Sequence, residues 1–267
     1  MRVKGKKVAL VTGGSSGIGL ATVRELVKCG VTVYEVSRRD TQIEGATHLK
    51  GDVTNEETML NIVNQIVATE GRLDILLCSA GFGISGAVEY TKTDDARHQF
   101  DVNFFGVANV VKAVLPVMRK QANGRIVIVS SVAAVAAIPF QTYYSATKAA
   151  LNAYACALRN EVRPCGITVT AVMPGDIATG FTDAREKSPV GDADYGGRIS
   201  RSVSRMEKDE RNGMKVEIVG KYLRRVCLKR RVSPTSTIGF GYKTLVILMR
   251  LLPQRLVSWV IYRMYAK

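Results

Sequence analysis

Apolar positions along this chain follow two alternating rhythms. Short stretches at 8–11, 31–36, 73–77, 125–129 and 167–172 are apolar at nearly every position. Between them lie longer stretches with helical spacing. In 56–70, for example, Met59, Ile62, Val63, Ile66 and Val67 recur three and four residues apart. The same spacing predicts helices over 18–29, closed by Gly30, and over 100–118 and 144–163, with a short apolar segment at 47–49. Strands apolar on both faces and separated by helices predict a parallel sheet covered on each side. The alternation ends near Pro174. Residues 182–200 are polar, contain Pro189, Gly191, Gly196 and Gly197, and predict a mobile loop leading to helices at 207–212 and 216–229. Two short apolar helices follow, at 245–253 and 256–262.

Composition agrees with one large α/β domain. The chain has 267 residues, of which 46% are hydrophobic and 23% charged, which excludes disorder as a description of the whole. Charge changes the picture more. The formal net charge is +15, and it is unevenly placed: residues 1–184 hold 19 basic and 16 acidic side chains, residues 185–267 hold 19 and 7. The first part is nearly neutral and the last third strongly basic. Five scattered cysteines without CxxC spacing, beside only two histidines, argue against a disulfide framework and a zinc site and suit a reducing compartment. The basic lead-in Met1 to Lys7 meets an apolar run of four, too short for a signal peptide. The C-terminal apolar stretch is cut by Lys243, Arg250, Pro253 and Arg255, short of the roughly 20 residues of a spanning helix. These features predict a cytoplasmic protein.

The first strand runs into Thr12-Gly13-Gly14-Ser15-Ser16-Gly17-Ile18-Gly19. Glycine is needed where the chain turns tightly, where backbone approaches a pyrophosphate and where a helix packs closely on a sheet. The following helix aims free N–H groups and its positive end at phosphate. Placed between strand and helix, this G-x-x-x-G-x-G loop points to a nucleotide. It also resembles the cofactor loop of the short-chain dehydrogenase/reductase (SDR) family, in its single-domain branch. The resemblance recurs across residues 6–180. Gly51-Asp52-Val53 matches the family's adenine-side segment, Cys78-Ser79-Ala80-Gly81 its Asn-Asn-Ala-Gly, Asn103 its helix asparagine, and Pro174-Gly175 with Ile177 and Thr179 its nicotinamide-side loop. It implies a single-domain Rossmann fold with an added helical C-terminal tail. Two departures stand out: Cys78 cannot supply the amide of the usual asparagine, and Ser16 stands where many NADPH-selective members carry a basic residue.

The end of the second strand bears on cofactor choice. A carboxylate there bonds both ribose hydroxyls, whereas arginine pairs with a 2′-phosphate. By similarity to NAD-selective relatives the acid's position is held by Ser37, and Arg38 and Arg39 follow. Glu35, inside the strand, is the competing candidate. The expected cofactor is NADP(H), with NAD(H) the alternative.

Tyr144 and Lys148 stand one helical turn apart, so an ammonium can favour the phenolate of an otherwise poor acid. Tyr143 has Thr147 at that spacing and cannot use Lys148. Ser131 lies thirteen residues upstream of Tyr144. The resemblance implies that Ser131 polarises a substrate carbonyl, that Tyr144 is the acid/base, that Lys148 lowers the tyrosine pKa and holds the ribose, and that Asn103 holds a water in the proton relay. The reaction implied is hydride transfer between the nicotinamide and a carbonyl or secondary alcohol. The cofactor-binding set is Gly13, Ser15, Ser16, Gly17, Ile18, Gly19, Ser37, Arg38, Arg39, Asp52, Val53, Cys78, Ala80, Gly81, Tyr144, Lys148, Pro174, Gly175, Ile177 and Thr179, with no metal.

By the same resemblance, residues 176–215 build the substrate pocket, and the apolar, glycine-rich 82–86 and 137–140 form its opposite wall, which suits a hydrophobic substrate. The segment 81–87 resembles the branch with hydroxysteroid and retinoid dehydrogenases and related bacterial reductases, including 3-oxoacyl reductases. The chain divides into a catalytic domain, 1–236, and a basic amphipathic extension, 237–267. The extension has three readings: a cover for the cleft or a subunit contact, a peripheral membrane contact, or ordinary core with a basic rim. The family implies a homo-dimer or homo-tetramer through the two long helices. Nucleic-acid binding is not expected, because the basic third lacks a recognition motif. The competing function is a catalytically silent, cofactor-sensing protein.

Overall fold

The computed structural model describes residues 7–267; the basic lead-in before Lys7 lies outside the described residues. In chain order the strands are β1 (Val8–Thr12), β2 (Thr32–Ser37), β3 (Ala46–Lys50), β4 (Ile75–Cys78), β5 (Ile84–Ser85), β6 (Gly124–Val129), β7 (Ile167–Met173), β8 (Ile177–Ala178), β9 (Glu186–Lys187), β10 (Met214–Lys215) and β11 (Thr235–Thr237). The helices are α1 (Gly17–Val27), α2 (Glu56–Glu70), α3 (Thr93–Phe100), α4 (Gly106–Lys120), α5 (Thr142–Val162), α6 (Phe181–Ala184), α7 (Arg198–Arg211), α8 (Val216–Leu228), α9 (Phe240–Leu251) and α10 (Gln254–Tyr265).

Seven strands form one parallel sheet in the order β11-β7-β6-β4-β1-β2-β3. Each buried strand feeds two cores, because successive side chains point to opposite faces. Val8 and Leu10 of β1 join the layer under α2, α4 and α5, while Ala9 and Val11 join the layer under α1 and α8. From β1 the chain winds outward through β2 and β3, then crosses back to β4 on the other side. That reversal opens a crevice beyond the carboxyl ends of β1 and β4, where doubly wound sheets bind ligands. This is the expected Rossmann-type α/β fold with helices on both faces.

Three elements differ from expectation. The helix predicted over 100–118 starts earlier, as α3, and passes through a wide π-turn, Asp101–Phe105, into α4. The turn carries the buried Asn103, and such turns often mark functional positions. The polar stretch 182–200 is not a plain loop. It forms α6, then β9 paired with β5, then hydrogen-bonded turns leading to α7. Helix α7 starts at Arg198 rather than near 207, because Ile199, Ser202 and Met206 supply one buried face. The alternation also does not end at Pro174: β11 extends the sheet beside β7, across the expected boundary at 236. Arg125 and Arg159 pin the segment before it, donating to the Lys229 carbonyl at 2.6 Å and the Val232 carbonyl at 2.9 Å.

Candidate active site

The glycine loop closes on itself by backbone contact. Gly13 and Gly17 have φ of 68° and 51°, a region that costs other residues but not glycine. A Cβ on Gly19 would lie 2.1 Å from the Gly13 carbonyl oxygen, and one on Gly13 would lie 2.7 Å from the Ala80 backbone. The loop after β1 is thus pressed on the loop after β4, with the N-terminus of α1 beside both. This is a cradle that side chains would fill, and it fits a dinucleotide pyrophosphate.

A cleft of about 810 Å³ runs from this cradle. It brings together Gly13, Ser16, Gly17, Ile18, Arg38, Arg39, Ala80, Gly81, Ser131, Tyr144, Lys148, Pro174, Gly175, Ile177 and Thr179. The other expected residues lie behind this lining. Ser15 is half-buried in the loop and Gly19 is buried under it. The Ser37 hydroxyl faces the Glu35 carboxylate at 3.3 Å and the Arg39 carbonyl at 3.2 Å. Asp52 accepts from the Thr54 N–H and hydroxyl, both at 2.9 Å. Val53 is buried beneath Gly106. Cys78 is in the core, where burial pushes its thiol up to about 12. Glu35 is fully buried, between Gly14 and the imidazole of His48, which contacts its carboxylate.

The catalytic candidates meet in mid-cleft. Ser131 caps a short 3-10 turn, its hydroxyl accepting the Ala133 N–H at 3.1 Å. Tyr144 and Lys148 sit on the buried face of α5, with the lysine Nζ 5.4 Å from the tyrosine ring centre. The Nζ donates to the Val129 carbonyl at 3.0 Å. The neighbouring side chains are placed otherwise: the Ser130 hydroxyl donates to the Lys148 carbonyl at 3.1 Å, and Tyr143 is half-buried off the cleft. Asn103 clamps the loop after β4. Its amide accepts the Phe82 N–H at 3.0 Å, donates to the Phe82 carbonyl at 2.9 Å, and reaches the Thr147 hydroxyl at 3.2 Å.

Burial dominates the ionisation of both central groups. It raises the Tyr144 phenol to about 12; a hydrogen bond to Ser131 opposes this, Glu210 adds to it, and Arg185 opposes it. It lowers the Lys148 ammonium to about 8. Tyr144 is therefore a protonated phenol at neutral pH, the form that can give a proton to a carbonyl oxygen.

The structure adds residues that sequence reasoning did not single out. The Arg185 side chain is fully buried, paired with Glu210, and lies over the Phe181 ring, which in turn is 5.7 Å from the Tyr144 ring. Thr182 donates to the other Glu210 oxygen at 2.7 Å. Asp176 and Glu210 line the cleft, and burial raises the Asp176 pKa. A charged pair 25 residues apart leaves no periodic signal. The C-terminal tail closes the same end. The ring of Tyr242 lies where a Cβ on Gly175 would sit, and its hydroxyl donates to the Asp176 carboxylate at 2.6 Å. Leu245, Met249, Ile261, Met264 and Tyr265 add an apolar wall.

The sequence model of the short chain dehydrogenase family matches residues 7–189. A 3-ketodihydrosphingosine reductase of Bacteroides thetaiotaomicron is 39% identical over 236 residues, covering 87% of this chain and 88% of that protein. Among solved structures, a short-chain dehydrogenase from Streptomyces avermitilis superposes with a TM-score of 0.84 at 27% identity, covering 96% of this chain and 97% of that one. ElxO with NADP bound superposes with a TM-score of 0.75 at 27% identity, covering 90% and 100%. A glycine cradle at the sheet's crossover and a Ser-Tyr-Lys group in the same cleft, together with these matches, make this chain a member of the short-chain dehydrogenase/reductase family, an oxidoreductase that uses NAD(P).

Proposed function

We propose that this chain is an NADP(H)-dependent reductase of a ketone on a hydrophobic substrate. The observation that carries the cofactor reading is the adenosine end of the cleft. Arg38 and Arg39 line it, while the competing strand carboxylate, Glu35, is buried against His48 and Ser37. Guanidinium groups without a competing acid favour a 2′-phosphate. The bound cofactor supplies the hydride. Ser131 holds the substrate oxygen and Tyr144 protonates it. Lys148 holds the ribose, and its charge eases the tyrosine proton when alcohol is oxidised instead. Asn103 keeps the loop at Phe82 in place and holds the relay water. Behind the cleft lining, Ser15, Gly19, Asp52, Val53 and Cys78 shape the cofactor's seat.

The tail's apolar wall suits an alkyl chain, and Asp176 and Glu210 can accept hydrogen bonds from a polar head beside the ketone. That combination favours the substrate class in the name of the Bacteroides relative, an alkyl chain with an amine and a hydroxyl near the ketone, over rigid steroids, over retinoids, and over 3-oxoacyl groups, which share the chain but bring no such donors. The reducing cytoplasm suits the five free cysteines. A homo-oligomer through α4 and α5 accounts for Phe105, which is 52% exposed. The test is the rate of NADPH and NADH oxidation with 3-ketodihydrosphingosine, a 3-oxoacyl thioester, a steroid ketone and retinal. Turnover of the first with NADPH is expected. A preference for NADH overturns the cofactor assignment, and turnover of another ketone alone overturns the substrate class.

A further inference from the structure

Helices α9 and α10 are apolar on two faces. One face lines the cleft through Leu245, Met249 and Ile261. The other carries Phe240, Ile247, Leu251, Leu256, Trp259 and Tyr262 outward, from 43% exposed at Leu256 to 87% at Phe240. Nine of the fifteen large exposed hydrophobic residues among the described residues lie between 240 and 264, so the patch is concentrated rather than scattered. A helix that is apolar all round is ordinarily covered on every side, and an outward patch of this kind marks an interaction site.

Charge selects the partner. Residues 237–267 contain five basic side chains, Lys243, Arg250, Arg255, Arg263 and Lys267, and no acidic one. All five are exposed. Such a surface repels a second copy of itself and attracts an anionic one. Trp259, with Arg263 stacked 5.7 Å from its ring, joins an amphipathic ring to a cation, the pairing found at a membrane boundary. The two helices, of 12 residues each, reach only about 18 Å apiece, too short to cross a bilayer.

We infer that α9 and α10 lie in the interface of an anionic lipid bilayer, apolar face down, and hold the mouth of the cleft at the membrane so that a lipid ketone passes into it without crossing water. The docking part stands on the surface alone. The delivery part rests on the reading of the cleft as a ketone reductase.

The chain's single tryptophan, Trp259, makes the docking directly measurable. The full chain is mixed with vesicles of phosphatidylcholine and phosphatidylglycerol in equal parts, or of phosphatidylcholine alone, then floated on a gradient while tryptophan emission is recorded. Flotation and a blue shift with the anionic vesicles, weak with phosphatidylcholine alone, are expected. The triple variant Phe240→Ser, Ile247→Asp, Leu251→Asp, none of whose positions lines the cleft, should lose roughly tenfold in vesicle affinity while keeping its NADPH affinity. Equal flotation of wild type and variant, equal flotation on both vesicles, or no flotation at all overturns the proposal. So does a dimer that forms without lipid and shields Trp259, which would make a second copy the occupant. Delivery is read separately: the variant should lose turnover of a ketone embedded in vesicles and keep turnover of a water-soluble one. Unchanged turnover of both overturns delivery, and no ketone turnover by wild type overturns the enzymatic reading while leaving the docking result intact.

Discussion

Replacing Lys148 with methionine should make the protein more stable and inactive at once. The ammonium is buried, and burial lowers its pKa from 10.5 to about 8. That displacement corresponds to about 3 kcal/mol of unfavourable charge burial. The sign follows from the direction. The folded-state pKa lies below the unfolded one, so at pH 7 both states carry the charge and the fold bears the whole cost. As pH rises from about 8 to 10.5, the folded state gives up its proton first and the cost disappears. Methionine, of similar length, removes the charge but leaves the Val129 carbonyl without the lysine donor at 3.0 Å, a loss of about 1–2 kcal/mol. The net at pH 7 is a gain of about 1–2 kcal/mol, or a few degrees in Tm at roughly 2–4 °C per kcal/mol. Thermal melts followed by circular dichroism at pH 7 and pH 10, with turnover measured in parallel, provide the check. The variant should melt higher at neutral pH, lose that advantage at high pH, and turn over no substrate. A variant less stable at pH 7, or a difference independent of pH, would refute the account of a strained functional lysine.

Tyr144→Phe should lower kcat by at least about a hundredfold, the usual worth of a positioned acid, with NADPH affinity unchanged in a fluorescence titration; near-normal turnover would remove Tyr144 from its role. The double variant Arg38→Ala, Arg39→Ala should raise the KM for NADPH by roughly ten- to a hundredfold, the scale of one or two charge-assisted bonds, and leave that for NADH nearly unchanged; equal effects on both would dissociate the arginines from the 2′-phosphate. Arg185→Met strands the partly buried Glu210 carboxylate and should cost about 3 kcal/mol, read as a lowered Tm, whereas an unchanged melt would show that the pair contributes nothing net. Gly19→Ala should abolish cofactor binding, since the new methyl meets the Gly13 carbonyl at 2.1 Å; wild-type affinity would contradict that contact.

Much of the sheet was legible because its strands are buried on both faces and so read as unbroken apolar runs. The same logic explains what was not. Strand β11 is Thr-Ser-Thr, three residues held by hydrogen bonds to β7 rather than by apolar side chains. Helix α3 is mostly polar, and its register with α4 is broken by the π-turn, so no helical period runs across both. The glycine cradle and the Tyr144–Lys148 pair were legible because their chemistry depends on short spacings along the chain. The Arg185–Glu210 pair and the docking of Tyr242 on Gly175 depend on folding that brings distant segments together, and local sequence carries no trace of either.

Chain order gives the tail a consequence in time. The glycine cradle, Ser131, Tyr144 and Lys148 all precede residue 180, whereas the last wall of the cleft comes from α9 and α10. During synthesis at about 5–20 residues per second, residues 237–267 follow the rest by roughly two to six seconds. In that interval Val132, Ala136 and Met173, which pack against Val246, Val257 and Ile261 in the finished fold, have no cover. A nascent chain at that stage presents a sticky apolar floor beside an assembled cofactor site. Truncation or slow translation within 237–267 would leave this floor open, so a segment made after the catalytic residues also shields the newborn chain from aggregation.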